Sequence, residues 1–211
     1  MINLNQILHA DCMDVMKDIP DKYFELAIVD VNYGIGVNHN MGRRKGDKSS
    51  DYKPAEWDKE KPKAEYFQEL FRVSQNQIIW GANHFISLVA IDSPCWLMWD
   101  KGFSEDVTFA QFELAWTSFK TTCKKYDKSP HDSIRFHPTQ KPVALYKWLL
   151  KNYAKPNDKI LDTHSGSASS VIACIDMGFE YLAIEKDKDY YEASIKRIEK
   201  ELLKIKLPFA V

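Results

Sequence analysis

The chain has 211 residues, of which 45% are hydrophobic and 28% are charged, and its formal net charge at pH 7 is −1. This length and balance predict one folded domain with a sizeable core. A net charge near zero excludes an overall positive field, so nucleic-acid binding has to depend on local basic patches. The four cysteines are widely spaced and form no Cys-x-x-Cys pair, so neither a metal site nor a disulfide framework is predicted.

Two features of the sequence concern the location of the protein. No apolar run approaches the ~20 residues that a membrane span needs. Residues 1–16 lack the basic start and the long apolar core of a signal peptide. We therefore expect a cytoplasmic protein that has no membrane partner.

The first half of the chain alternates short apolar stretches with polar ones. Residues 37–63 are rich in Lys, Arg, Gly and Asp and lack periodicity, so we expect a loop-rich insertion that is mobile without a ligand. Apolar residues at helical spacing predict a helix over residues 64–73. The strands predicted in this half cover residues 7–10, 24–29, 77–80 and 95–99.

The second half continues this alternation, and together the two halves predict an α/β fold. Pro142 fits the first position of a helix over residues 143–153, and Gly178 ends a helix over residues 171–177. Residues 117–136 read as a polar connection. A charged amphipathic helix over residues 187–204 closes the fold. The further predicted strands cover residues 112–116, 159–162 and 181–184.

Several of the predicted strands end at an acidic residue, and ligands of open α/β sheets lie at the carboxyl ends of strands. The spacing from Asp162 to Glu185 fits one βαβ unit whose second acid is placed to hydrogen-bond a ribose diol. The loop after Asp162 contains one glycine, Gly166. Such a loop suits a nucleoside with a short zwitterionic tail, such as S-adenosylmethionine, while an ordinary βαβ unit with a serine-rich turn is the alternative. The acids are Asp11, Asp30, Asp100, Asp162 and Glu185.

Five segments of the chain then match one set of motifs in order. Ala10-Asp-Cys12 comes first, followed by Asp30-Val-Asn-Tyr33 at a strand end and by His-Pro-Thr-Gln-Lys-Pro at residues 137–142. The loop at residues 162–169 and Glu185 complete the set. These segments resemble the DNA amino-methyltransferases, in the permuted arrangement in which the catalytic motif precedes the cofactor motif. The family's own motifs are Asp-Pro-Pro-Tyr, His-Pro-Thr-Gln-Lys-Pro and Asp-Pro-Phe-x-Gly-Ser-Gly-Thr.

The resemblance implies a catalytic site in a single domain over residues 1–211. The implied fold is the Rossmann-like fold of S-adenosylmethionine-dependent methyltransferases, with a mixed, mostly parallel sheet and helices on both faces. Asp30 and a main-chain carbonyl just after it would accept the two hydrogens of an exocyclic amine in DNA, and Tyr33 would stack on the flipped base. Asp30 favours N6 of adenine, because N4-cytosine enzymes of this family often carry Ser there. The implied catalytic residues are Asp30, Val31, Asn32 and Tyr33.

The same resemblance implies S-adenosylmethionine as the cofactor and no metal. Glu185 would accept from the ribose hydroxyls. Thr139 and Lys141 would contact the cofactor's carboxylate, or would simply cap the helix that follows. The implied cofactor-binding residues are Asp11, Cys12, Asp30, His137, Thr139, Lys141, Asp162, His164, Ser165, Gly166, Ser167, Glu185 and Lys186.

Two departures from the family pattern affect this interpretation. Val31 and Asn32 replace two prolines, which restores two N–H donors and loosens the loop. The Asn32 amide would then orient the base or compete with it for Asp30. Ala168 replaces a glycine, and the loop still forms if φ there is negative. The alternatives to adenine-N6 methylation are therefore cytosine-N4 methylation and a catalytically impaired homologue that binds cofactor and DNA.

Two local basic stretches predict contacts with DNA. The first contains Arg43, Arg44 and Lys45, and the second contains Lys124 and Lys125. Their charges would neutralise phosphates, although lysine-rich loops are often only solvated. The second stretch falls in a short target-recognition region over residues 103–136, which suggests a short target, reduced specificity or a partner. A second copy of the chain and a restriction-system protein are the candidate partners.

Overall fold

A computed structural model describes residues 2–36, 58–103, 110–128, 136–137 and 139–206. Within these residues, eight strands form one sheet in the order β1-β8-β7-β2-β3-β5-β4-β6. Strand β5 runs antiparallel to both of its neighbours, and all other pairs are parallel. The strands are β1 (Gln6–His9), β2 (Phe24–Asp30), β3 (Ser74–Trp80), β4 (Trp96–Asp100), β5 (Phe112–Thr117), β6 (Lys124–Asp127), β7 (Lys159–Asp162) and β8 (Glu180–Glu185).

Helices cover both faces of this sheet, as predicted. Strand β2 shows why, because its successive side chains point to opposite faces. Leu26 and Ile28 pack with α4, α5 and α6 on one side, while Ala27 and Val29 pack with α1, α2 and α3 on the other. The helices are α1 (Cys12–Met16), α2 (Ala64–Val73), α3 (Ile86–Val89), α4 (Val143–Tyr153), α5 (Ser169–Met177) and α6 (Lys188–Lys206), and a 3-10 turn covers Ala82–His84.

The predicted element bounds hold best where an apolar pattern is long. Helices α2 and α4 and strand β7 have the predicted limits. Pro142 is the residue before α4 and not its first helical residue, because its ψ of 144° is extended. Strand β6 was missed, since its sequence KKYD has no buried residue and it pairs only with β4 at the edge of the sheet.

The sheet brings three of the strand-end acids together. Strands β8, β7 and β2 are parallel neighbours, so Glu185, Asp162 and Asp30 come together at the carboxyl ends of these strands. Asp100 ends β4 but pairs with Lys125 there. Of the predicted insertion, residues 37–57 lie outside the described residues, as do Arg43, Arg44 and Lys45. No helix in the described part is both long and apolar enough to span a bilayer.

Candidate active site

A cavity of about 950 Å³ opens at the carboxyl ends of the strands. Every residue predicted as catalytic or cofactor-binding lines it, with the exception of Asp162. The lining residues from those predictions are Asp11, Cys12, Asp30, Val31, Asn32, Tyr33, His137, Thr139, Lys141, His164, Ser165, Gly166, Ser167, Glu185 and Lys186.

Asp162 does not line the cavity but holds the predicted cofactor loop (residues 162–170) by hydrogen bonds. Its carboxylate accepts hydrogen bonds from the His164 amide, at 3.0 Å, and from the Ser170 hydroxyl. Burial raises the pKa of Asp162 to about 7, and these two hydrogen bonds oppose the rise. The carboxylate therefore fixes the turn and the start of α5.

Ala168 adopts a left-handed conformation with φ of +60°, so the expectation of a negative φ is wrong. The turn requires this conformation because the Ala168 amide donates to the Ser165 carbonyl at 2.7 Å and Ala168 itself forms the N-cap of α5. The methyl group is fully buried in the core. Apolar burial thus offsets part of the backbone strain.

Glu185 is fixed before any ligand arrives. Its carboxylate accepts from the Gly166 amide at 2.7 Å and from the Asp187 amide at 2.8 Å. Burial raises its pKa, and the backbone hydrogen bonds oppose this. After the adjacent strand β1, Asp11 caps α1 and pairs with Lys186 at 2.8 Å, and that hydrogen bond is the main reason why the pKa of Asp11 is lowered. A carboxylate retains further acceptor sites, so both acids can bind hydroxyl groups.

The wall beside these acids is uncharged. Burial raises the pKa of the Cys12 thiol to about 12 and lowers the pKa of His164 to about 4, so both groups are neutral at pH 7. The Tyr66 hydroxyl lies 2.6 Å from Thr163 Oγ1, which contacts His164 Nδ1. Such a wall suits an adenine ring.

Two further features fit a bound cofactor. The Ser165 hydroxyl is buried and has no hydrogen-bond partner among the described residues. Gly166 lies close to the His137 ring. A Cβ built at Gly166 would lie 3.4 Å from His137 Nε2. The centroid of the Tyr190 ring lies 4.2 Å from that of the His137 ring, and Thr139 Oγ1 lies 3.2 Å from His137 Nδ1. His137 is therefore closely packed on this side of the cavity. The residues present therefore fit S-adenosylmethionine: acceptors for the ribose, a neutral wall and an unpaired hydroxyl.

The Asp30 carboxylate, predicted to be catalytic, sits in a network of charges. Lys141 Nζ lies 2.6 Å from Asp30 Oδ1 and 2.9 Å from Glu113 Oε2. Lys101 Nζ lies 2.5 Å from the other oxygen of Glu113. The Tyr33 hydroxyl donates to Asp30 Oδ1 at 2.8 Å. Lys141, predicted beside the cofactor's carboxylate, thus contacts the protein's own carboxylates.

The charges of this network shift the pKa values of its members. Burial raises the pKa of Asp30, and Lys141 opposes that rise. Burial also acts to raise the pKa of Glu113, but the Lys141 and Lys101 ammonium groups outweigh it and lower the value to about 2. Burial and the two neighbouring anions raise the pKa of Tyr33 well above its usual range. Glu113 is therefore an anion at all physiological pH values.

The catalytic loop (residues 30–36) is clamped by a distant segment. The buried Asp58 carboxylate accepts from the Tyr33 and Gly34 amides at 2.8 and 3.0 Å. Asn32 Nδ2 donates to the Glu60 carbonyl, so one N–H of the amide that was expected to orient the base or to compete for Asp30 is used in this contact. The Tyr33 ring stacks on His84 with centroids 5.1 Å apart and leaves no room for a Cβ at Gly81.

The two described lysines predicted to bind DNA make contacts away from the cavity. Lys124 donates to Asn152 at 2.9 Å, and Lys125 pairs with Asp100 and Asp127 at 2.9 Å each. Neither lines the cavity. Four residues of the site were not predicted from the sequence: Glu113, Lys101, Asp58 and His84. Glu113 had a signal in the sequence, because it is an acid inside an apolar strand.

A comparison with protein families identifies the chain. The family described as DNA methylase, of the N6/N4 type, matches residues 37–196. The chain belongs to this family. Its members take their methyl group from S-adenosylmethionine, so the predicted cofactor is confirmed, and so is the predicted N6/N4 amino-methyltransferase family.

Individual relatives agree with this assignment. The type II methyltransferase M.HinfI of Haemophilus influenzae is 24% identical over 92% of this chain and 68% of its own length. A structure of an M1.HpyAVI–SAM complex superposes with a TM-score of 0.60 at 21% identity, covering 91% of this chain and 98% of that one. The cytosine-N4-specific PvuII DNA methyltransferase gives 0.62 at 12% identity, covering 95% and 92%. These two structures confirm the predicted fold.

Proposed function

We propose that this DNA methylase transfers the methyl group of S-adenosylmethionine to N6 of adenine in DNA. The observation that carries the proposal is the placement of Asp30. Within the described parts of the chain, the close contacts of its carboxylate from Tyr33 and Lys141 both use Oδ1, so Oδ2 can accept a hydrogen from an amine in the cavity. An aspartate at this position favours adenine over cytosine, because the cytosine-N4 enzymes that the motif resembles often carry Ser.

The chemistry divides between the cofactor and the chain. When bound, S-adenosylmethionine supplies an electrophilic methyl group on a sulfonium. Asp30 Oδ2 and the carbonyl that follows it accept the two amine hydrogens, which favours a pyramidal nitrogen with a more available lone pair. Positioning of the amine provides much of the remaining acceleration. The Asp58 clamp serves this role, because it fixes the backbone immediately after Asp30.

The mouth of the cavity suits an extruded base. Ile35 and Phe112 are large apolar side chains that line it and are 45% and 43% exposed. An unstacked base gains apolar contacts there. Tyr33, predicted to stack on the base, holds Asp30 Oδ1 and packs on His84. We infer that Tyr33 acts through Asp30 and that Ile35 and Phe112 contact the base.

The catalytically impaired alternative is less favoured by the geometry. It rested on Val31 and Asn32, which replace two prolines. Asp58 and the Glu60 carbonyl hold this loop by three hydrogen bonds, so the loop does not depend on prolines for its shape. We therefore propose an active enzyme.

A role in a restriction system is also proposed, because the relative M.HinfI is a type II methyltransferase. The proposed DNA contacts are Arg43, Arg44, Lys45, Lys124 and Lys125.

One assay tests the assignment. Purified protein is incubated with methyl-labelled S-adenosylmethionine and unmethylated DNA of mixed sequence, and the nucleosides are then separated. We expect N6-methyladenine from the native chain and none from Asp30→Asn, whose cofactor affinity by calorimetry stays within a few-fold of native. N4-methylcytosine would replace the adenine assignment. Cofactor binding without transfer to any DNA would overturn the proposal in favour of an impaired homologue.

A further inference from the structure

Four side chains of alternating charge, two buried lysines and two partly buried acids, form a line that ends at the Asp30 carboxylate. The line runs from Lys101 to Glu113, then to Lys141 and to Asp30, with contacts of 2.5, 2.9 and 2.6 Å. The Lys141 and Lys101 side chains are only 2% and 9% exposed. Within this line two cations face two anions, so removal of one member changes the charge balance among the other three.

We propose that Glu113 and Lys101 are positioning residues for the Asp30 carboxylate: Glu113 leaves it free to accept an amine hydrogen, and Lys101 helps to keep it ionised. The proposal rests on the assignment of Asp30 as that acceptor. Neither residue touches the amine itself. Their effect reaches Asp30 through Lys141, which both carboxylates share.

The need for Glu113 follows from the position of Lys141. A buried ammonium at 2.6 Å from Asp30 would, by itself, hold the carboxylate tightly and weaken it as an acceptor. Glu113 draws the same ammonium from the other side at 2.9 Å. The Tyr33 hydroxyl lies between the two carboxylates, 2.8 Å from Asp30 and 3.2 Å from Glu113. Glu113 thus limits how strongly Lys141 neutralises Asp30.

Lys101 has the complementary task. Its ammonium binds Oε1 of Glu113, which leaves Oε2 for Lys141. Without Lys101 the two carboxylates would share one cation, and protonation of one of them would become easier. The charged or titratable groups that face or influence Asp30 come from several elements. They are Tyr33 of the catalytic loop, Glu113 of β5, Lys101 after β4, Lys141 and Tyr146 at α4, Asp162 of β7, and His84, which packs on Tyr33.

The test uses substitutions that move the charge at Asp30 in opposite directions. Glu113→Gln leaves two cations with one anion, so ionised Asp30 is favoured and the acid limb of the kcat–pH profile should move to lower pH by ~1 unit. Lys101→Met leaves two anions with one cation, so the same limb should move to higher pH. The double variant restores the balance and should return the limb toward its native position. In Glu113→Gln the maximal kcat should also fall, on the order of ten-fold, with KM for the cofactor nearly unchanged.

A second readout separates this proposal from the proposed function. The Asp30 carboxyl carbon is titrated by NMR in cofactor-free protein labelled at aspartate, and Asp30→Asn identifies its signal. Its midpoint should shift down in Glu113→Gln and up in Lys101→Met, whether or not the protein methylates DNA. Lys147→Met is the matched control, since it removes a lysine paired with Asp176 on α4 and α5 and should shift neither readout.

The possible outcomes are distinct. Opposite shifts by NMR together with opposite shifts in kcat support the proposal. Shifts in the same direction, or no shift while the variants remain folded, would overturn it and leave Glu113 and Lys101 with a structural role. Opposite NMR shifts in a protein that transfers no methyl group would leave the charge network in place and refute the proposed function instead.

Discussion

The catalytic loop and the cofactor loop end neighbouring parallel strands, yet they are held in different ways. The catalytic loop is held by residues distant in sequence: Asp58 binds its amides, while Glu113 and Lys141 contact Tyr33 across 80 and 108 residues. The cofactor loop combines contacts within itself, from Asp162 to His164 and Ser170 and from the Ala168 amide to Ser165, with contacts from the β8 and α6 residues Glu185 and Arg197. The catalytic loop lacks the two prolines of its family motif and the cofactor loop lacks the second glycine of its motif, and each of these departures is stabilised in a different way.

This difference determines which substitutions a loop tolerates. The catalytic loop lacks two prolines, and hydrogen bonds from Asp58 replace the restriction that prolines would impose. The cofactor loop lacks one glycine, and burial of the Ala168 methyl group offsets the strain of a positive φ. We therefore expect the catalytic loop to be sensitive to changes far away in the sequence, and the cofactor loop to changes within itself and at the residues of β8 and α6 that bind it.

The largest effect is expected from Asp58→Ala. This change leaves the Tyr33 and Gly34 amides without their acceptor, and each hydrogen bond to a charged group is worth about 1.5–3 kcal/mol. We expect the free energy of unfolding, measured by urea denaturation, to fall by roughly 3 kcal/mol. Turnover should fall by more than ten-fold, while cofactor affinity changes little.

The control for this variant is Glu60→Ala. Its side chain is exposed, and the hydrogen bond from Asn32 goes to its main-chain carbonyl, which the substitution retains. Turnover should remain native. Equal effects of the two substitutions would mean that the segment, and not the Asp58 carboxylate, holds the loop, and the contrast between the two loops would then be lost.

Glu185→Ala should have the next largest effect. Glu185 is one anchor of the cofactor loop from outside it, since its carboxylate accepts from the Gly166 amide 19 residues away. Its loss removes both this anchor and the expected ribose acceptor, so calorimetry should show cofactor binding weaker by roughly 1–3 kcal/mol. Glu180→Ala, at the exposed start of the same strand, is the control. Unchanged affinity in the Glu185 variant would refute the ribose contact.

The sequence predicted more of the cofactor loop than of the catalytic loop for the same physical reason. Asp162, Gly166 and Glu185 lie within one βαβ unit, so their spacing alone places them together. Asp58 comes from a polar segment and Glu113 from β5, which lies between β3 and β4, and only the sheet order β2-β3-β5 brings Glu113 to Asp30. The sign of φ at Ala168 could not be predicted from the sequence either, because neither a buried methyl group nor a strained turn produces a recognisable sequence pattern.

A smaller effect is expected from prolines in the catalytic loop. Val31→Pro with Asn32→Pro stiffens a backbone that Asp58 already fixes, so turnover in the native background should change by only a few-fold. In the Asp58→Ala background the same prolines replace the missing restriction and should recover up to about ten-fold in turnover, equal to ~1.4 kcal/mol. An equal response in both backgrounds, measured by single-turnover kinetics, would show that the clamp and the prolines act independently.

The smallest effect is expected from Ala168→Gly. Glycine relieves a left-handed strain of about 1–2 kcal/mol, but it loses ~0.8 kcal/mol of methyl burial and adds about 0.4–1 kcal/mol of unfolded-chain entropy. These effects nearly cancel, so the free energy of unfolding should change by less than ~1 kcal/mol.

Ala173→Gly provides the contrast for this last prediction. Ala173 is equally buried but lies within α5, where no strain is relieved. Its loss of helix propensity and of methyl burial should together lower the free energy of unfolding by roughly 2 kcal/mol. Urea denaturation of the two variants therefore measures the strain at Ala168 directly. If both lose the same stability, the positive φ carries no strain, and the cofactor loop needs no offset from its buried methyl group.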